Sequence, residues 1–388
     1  MRKSAAAVAF AAGAVLLSSC ANTLSVSTSA DTSRKPEQPT RNVATSNIDA
    51  KKTLPAGKRV EILANDPWVI ESVSINDSAG TSEADLAAPT SRWRSEPLGP
   101  SQQVTYTATL RDQQTGETQT ISRTVQSGGA KNTFAATMFP KSGTFGIGVM
   151  PTVTFDQFVP ERDRAAIAER LKVESSPTQV AGAWRWEDGD TAVFRPKSFW
   201  PARTSVRVVA DLENAVIRGA KPRENSYGSS NASASFKTDN GITIKVNGPK
   251  KRGRVVVDGK TIRKFPTSVG KAGYVTRSGV KTITDKFKVT RMTNIGVTDD
   301  EVYDLQVPYA MRITNSGEFL HGAPWNGNIG YANTSHGCTN ATLSDAKWIF
   351  KRVHWGTPVV TKGTGRAMEN WNGPGARWNI KYGAWNNS

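Results

Sequence analysis

Val104-Thr105-Tyr106-Thr107-Ala108-Thr109-Leu110 alternates apolar and polar side chains, the period-2 pattern of a strand with one buried face. Residues 112–116 read as a turn, and Thr120-Ile121-Ser122-Arg123-Thr124-Val125 returns the chain. A hairpin with one apolar face needs a second sheet over it, so this pair predicts a sandwich spanning residues 54–130. Further along, Met150-Pro151-Thr152-Val153-Thr154-Phe155, Trp184-Arg185-Trp186, Ala192-Val193-Phe194-Arg195-Pro196 and Ser205-Val206-Arg207-Val208-Val209 read as more strands. Residues 161–173 read as a short amphipathic helix. They predict a second unit over 131–239. The 388 residues are too many for one core.

Short strands with regular turns in both units point to two immunoglobulin-like β-sandwiches. A third, β-rich unit is expected over 240–362. It opens on Thr243-Ile244-Lys245-Val246 and Arg254-Val255-Val256-Val257, with Asp258-Gly259 as a hairpin turn. Residues 345–353 predict a helix with Ser344 as N-cap and Ala346, Ile349 and Phe350 turned inward. Residues 363–388 carry Trp371, Trp378 and Trp385 among Asn, Gly and Pro. A tail this aromatic is expected to pack as a strap against the neighbouring sandwich; glycan stacking is the alternative.

Met1-Arg2-Lys3 followed by an apolar stretch from Ala5 to Leu17 reads as an export signal, since the stretch is too short to span a bilayer. Leu17-Ser18-Ser19-Cys20 resembles the lipobox of bacterial lipoproteins. That resemblance implies a signal peptide over 1–19, lipidation of Cys20, and anchoring at the outer face of the cytoplasmic membrane. Residues 20–53, rich in Ser, Thr, Asn and Ala, read as a disordered tether. The net charge is +17, and residues 241–388 hold 22 Lys and Arg against 9 Asp and Glu. Export excludes nucleic acid as the partner and leaves anionic wall polymer and lipid headgroups.

Apart from Cys20, the chain has one cysteine, Cys338, and its three histidines, His321, His336 and His354, fall within 34 residues around it. An imidazole that takes the proton of a lone thiol makes a nucleophile at neutral pH. Gly337 before it and polar residues after it describe a tight turn with backbone amides available to an oxyanion. Cys338, His321 and His336 make a poor structural zinc set, so no metal is expected.

His321-Gly322-Ala323-Pro324-Trp325 followed by Asn333-Thr334-Ser335-His336-Gly337-Cys338-Thr339-Asn340 resembles the signature of the L,D-transpeptidases of peptidoglycan, with their YkuD-type catalytic domain. The spacing between its halves is slightly shorter than in the multidomain members. Phe139-Pro140-Lys141-Ser142-Gly143 and Arg195-Pro196-Lys197-Ser198-Phe199-Trp200-Pro201-Ala202 are similar to that family's immunoglobulin-like domain. The resemblance implies Cys338 as nucleophile, His321 as general base, and the backbone carbonyl of Gly322 as its orienting partner. It implies support or oxyanion roles for Ser335, His336, Gly337 and Asn340. Met292, Tyr303, Trp325 and Thr339 are implied to line the substrate site, under a lid over 292–304. The implied substrates are stem peptides, as donor and acceptor, joined by 3→3 cross-links; carbapenem-type β-lactams are the implied inhibitors, and no cofactor is called for. An L,D-carboxypeptidase of the same fold, a papain-like wall endopeptidase and a non-catalytic wall-binding lipoprotein are the rival readings.

Overall fold

The computed structural model describes residues 42–48, 53–78, 80–221, 224–295 and 302–386. The signal stretch and Cys20 lie outside the described residues.

Gln103–Asp112 forms the expected strand, with every second side chain buried. It pairs with Thr118–Gln126 on one side and Trp68–Asp77 on the other. A facing sheet of Ala44–Ser46, Arg59–Ala64 and Arg92–Pro97 covers it. Between them lie Val60, Ile70, Val73, Ala108 and Leu110, and Trp93 meets Tyr106 at 5.3 Å between ring centroids. The tether reading over 20–53 gives way at its end. Residues Ala44–Ser46 pair with Ile62–Ala64, and Val43 is buried in the core. One buried valine and an open strand edge are enough to order a segment whose composition is otherwise that of a linker.

The second unit stacks two four-stranded sheets. One joins Thr144–Phe145, Ala232–Thr238, Ser205–Ala210 and Leu171–Ser176; the other joins Gly182–Glu187, Thr191–Pro196, Thr152–Phe155 and Ala136–Phe139. The helix is shorter than its pattern suggested, running only Glu161–Ala168. Leu171 and Val173 alternate with polar residues, and Leu171–Ser176 pairs along its length with Ser205–Ala210. Sheet pairing overrides helical propensity there.

The third unit is built on a ten-stranded curled sheet. Its order is Asp285–Thr293, Asp304–Arg312, Phe319–Gly322, Thr339–Ala341, Lys260–Ser268, Arg252–Val257, Thr243–Asn247, Pro358–Lys362, Arg277–Thr282 and Arg366–Ala367. Asp258 and Gly259 both take positive φ, 48° and 78°, as a tight hairpin turn requires. The helix spans Leu343–Phe350, and its N-cap is Thr342 rather than Ser344: the Thr342 hydroxyl accepts the amide of Asp345 at 3.1 Å. Ala346 and Ile349 are buried against the strands Asp304–Arg312 and Phe319–Gly322.

The strap packs as expected at two of its three tryptophans. Trp378 and Trp385 are buried with Met150 and Val193. Their indole nitrogens donate to the carbonyls of Gly148 at 2.9 Å and Ala183 at 3.0 Å. The Arg195 guanidinium lies over both rings, 5.0 and 5.7 Å from their centroids. Burial removes these two from any glycan-stacking role, while Trp371 is 69% exposed. Among the described residues, no helix is long and apolar enough to cross a membrane.

Candidate active site

Phe319–Gly322 and Thr339–Ala341 are neighbouring parallel strands, with His321 in register with Asn340 and Leu320 with Thr339. Register partners in a parallel pair share a face. Leu320 belongs to the core, so Thr339 points the same way and is fully buried. The expected substrate contact at Thr339 is therefore corrected: its side chain is inside the sheet packing, not in the pocket lining. His321 and Asn340 face the other way, into a cavity of about 300 Å³.

The same cavity brings together Cys338, His336, Ser335, Trp325, Met292 and Tyr303. Met292 lies on the strand Asp285–Thr293, and Tyr303 immediately precedes its partner strand Asp304–Arg312. Residues 296–301 of the expected lid lie outside the described residues. Trp325 stacks on His321 at 6.1 Å with 24° between planes. His336 sits between Tyr303 at 5.1 Å and Tyr274 at 4.5 Å.

The turn that carries the thiol is fixed by side-chain hydrogen bonds. The Ser335 hydroxyl donates to the carbonyl of Cys338 at 2.6 Å and accepts the Gly337 amide at 3.2 Å. Thr276 donates to the Gly337 carbonyl at 2.7 Å. Gly337 has φ 118°, a conformation open to glycine and closed to almost every other residue. The expectation that the Gly337 amide is an oxyanion donor meets a resting geometry in which that N–H is already engaged by Ser335.

The His321 Nδ1 lies 2.9 Å from the Gly322 carbonyl oxygen. A carbonyl only accepts, so Nδ1 carries the hydrogen and Nε2 keeps the lone pair. The sulfur of Cys338 is 3.9 Å from the Gly317 carbonyl, the outer limit of a thiol hydrogen bond.

Comparison with known proteins shows which chains this one is similar to. The L,D-transpeptidase catalytic domain model matches residues 241–361, and the bacterial Ig domain model matches residues 51–216. Probable L,D-transpeptidase 3 of Mycobacterium tuberculosis is 30% identical over 241 residues, covering 58% of this chain and 86% of that one. The chain belongs to the L,D-transpeptidase family. L,D-transpeptidase 2 of M. tuberculosis is 28% identical over 334 residues, 84% of this chain and 79% of that one. A solved L,D-transpeptidase structure from Mycobacterium smegmatis is 28% identical, covers 59% of this chain and 99% of its own, and has a TM-score of 0.48.

In this L,D-transpeptidase, burial sets the charge state of both groups at the centre of the pocket. His321 is 4% exposed, and desolvation lowers its pKa to about 4 against the opposing pull of the Gly322 hydrogen bond. Desolvation pushes the Cys338 thiol up to about 11. At neutral pH the resting pair is thus a neutral imidazole and a neutral thiol.

Sequence reading missed several of the groups that shape the pocket. Leu305, Val307, Asn326, Asn328 and Thr334 also line it. Tyr274 touches His336 and Thr276 holds the Gly337 carbonyl from a loop about sixty residues upstream of Cys338, and no local pattern ties such distant positions together.

Proposed function

We propose that this enzyme forms 3→3 peptidoglycan cross-links through a Cys338 thioester. The supporting observation is the His321 Nδ1 contact with Gly322, which leaves Nε2 as a base in the same pocket as Cys338. Attack of the Cys338 sulfur on the carbonyl of the third stem residue forms the C–S bond. The C–N bond to the terminal D-Ala breaks, and His321 carries the thiol proton to the leaving amine. The side-chain amine of a second stem then attacks the thioester. Its nitrogen forms the new amide, the C–S bond breaks, and the amine's proton returns to sulfur through His321.

Oxyanion stabilisation falls to the Cys338 amide, joined by Gly337 once its hydrogen bond to Ser335 is released. Carbapenem-type β-lactams fit the same site, because their ring carbonyl acylates a thiol without needing a leaving group to depart. A solved L,D-transpeptidase, LdtMt1, is in complex with imipenem, a carbapenem. The Leu17-Ser18-Ser19-Cys20 run supports a proposed location at the cell envelope, with the enzyme exported and held to the outer face of the cytoplasmic membrane through Cys20.

Incubation with purified tetrapeptide-stem muropeptides and mass analysis of the products tests the reaction. Cross-linked dimers that lose one D-Ala per bond are expected, and none with Cys338→Ala. Tripeptide stems without dimers would instead mean L,D-carboxypeptidase activity, with water in place of the acceptor amine.

A further inference from the structure

The strand Arg277–Thr282 carries Lys281, which has no exposed surface. Its Nζ donates to Glu318 Oε2 at 2.5 Å. The other Glu318 oxygen accepts the backbone amide of Arg277 at 2.9 Å and its Nη1 at 3.0 Å. Arg277 also pairs with Glu369, which is tied in turn to Arg366 at 2.8 Å and Asn372 at 3.1 Å. An ammonium and a carboxylate this deep are costly to desolvate even when paired, and apolar residues of similar volume would hold the strands as well.

The position of the pair suggests another use. Glu318 directly follows Gly317, whose carbonyl faces the Cys338 sulfur at 3.9 Å. A Cβ placed on Gly337, the residue before the thiol, would lie 3.9 Å from the Glu318 side chain. Thr276, next to Arg277, holds the Gly337 carbonyl at 2.7 Å. The ion cluster therefore abuts Gly337, which precedes Cys338, and directly follows the Gly317 carbonyl that faces its sulfur.

We propose that Lys281 and Glu318 are positioning residues that set the reactivity of Cys338 from behind the pocket, with opposite signs. The inference rests on Cys338 being the reacting thiol. The charges felt by the sulfur are few. Glu318 opposes its ionisation, and Lys281 and Arg312 favour it. His321, His336 and Tyr303 share its cavity, while Arg277 and Glu369 stand behind Glu318. Removing Glu318 takes away the anion that opposes ionisation, and removing Lys281 leaves Glu318 still paired with Arg277 but one cation short, so the two substitutions act on the thiol with opposite signs.

The test is the rate at which iodoacetamide alkylates Cys338 in the full-length chain across a pH series, read by mass spectrometry of the Cys338 peptide. Glu318→Gln is expected to move the alkaline rise in rate to lower pH by about one unit, and Lys281→Met to move it higher by a similar amount. The double variant is expected to return close to the parent profile. Shifts of the same sign, or no shift, would overturn the proposal. If Glu318→Gln alone is insoluble because Lys281 is left unpaired, the comparison of Lys281→Met with the double variant decides. The double variant must then rise at lower pH than Lys281→Met, and coincident profiles would count against the idea. Alkylation needs no wall substrate. A carbapenem adduct persisting on Cys338→Ala would remove the catalytic reading without altering these profiles, so the two can fail separately.

Discussion

The Nδ1 of His321 lies 2.9 Å from the carbonyl oxygen of Gly322, the next residue on its own strand. A backbone acceptor built into a β-strand cannot swing away as a carboxylate side chain can, so the ring is held in one tautomer by the sheet itself. His336, in contrast, is packed between two tyrosine rings.

His321→Gln is therefore expected to slow carbapenem acylation by roughly 10²-fold or more, the usual scale of general-base loss. His336→Gln should act more mildly, through the packing of Tyr274 and Tyr303. Stopped-flow acylation of the two variants checks the order, and equal effects would reverse the assignment.

Acylation should keep its rate as pH falls through the ordinary histidine range and decline only near pH 4, where His321 takes a proton. A decline centred near 6.5 would mean that a different, exposed imidazole is the base. Stability follows the same group. In the unfolded chain His321 binds its proton near 6.5 and in the fold only near 4. Its contribution is thus present above 6.5 and lost as pH falls from there toward 4. Cys338, raised from 9.0 to about 11, contributes stability that is lost as pH rises through that interval. Thermal melts over a pH series read both limbs.

Ser335→Ala removes the 2.6 Å bond to the Cys338 carbonyl and the 3.2 Å bond from the Gly337 amide. Loss of about 1 kcal/mol per bond is expected in stability. Acylation should slow by about tenfold or more, because the turn that aims the sulfur is released. Ser335→Thr, which keeps the hydroxyl, should recover most of the rate; failure to recover it would point to steric effects instead.

Trp385→Ala should destabilise the protein by about 3–5 kcal/mol, since a fully buried indole with a hydrogen bond to Ala183 is replaced by a cavity. Trp371→Ala, at an exposed position, should change stability by less than about 0.5 kcal/mol. Chemical denaturation of both variants gives the comparison.

Cys20→Ala should move the protein out of the membrane fraction while leaving purified activity unchanged, because the anchor and the Cys338 thiol are chemically independent. Cell fractionation measures the first and the muropeptide assay the second. Retention on the membrane would transfer the anchoring role to the basic surface.

The sequence alone determined the features that depend on local pattern. Alternation over residues 104–110 announced a half-buried strand, and Gln103–Asp112 is that strand because a period of two has no other stable use. The run around Cys338 announced the pocket's central thiol because a thiol, a glycine before it and flanking polar residues sit within six positions. Where tertiary contact competes with local preference, the pattern was insufficient. Residues 171–176 had to choose between continuing a helix and pairing with Ser205–Ala210, and only the neighbouring strand decided. Residues 44–46 read as linker until an open sheet edge met them. The direction in which Thr339 and Asn340 point was also undecided in the sequence, because two adjacent polar residues differ only in which face of the sheet becomes the core. The Lys281–Glu318 pair shows the same limit most sharply. Thirty-seven positions apart, they become partners only when the curled sheet brings two strand ends behind the thiol.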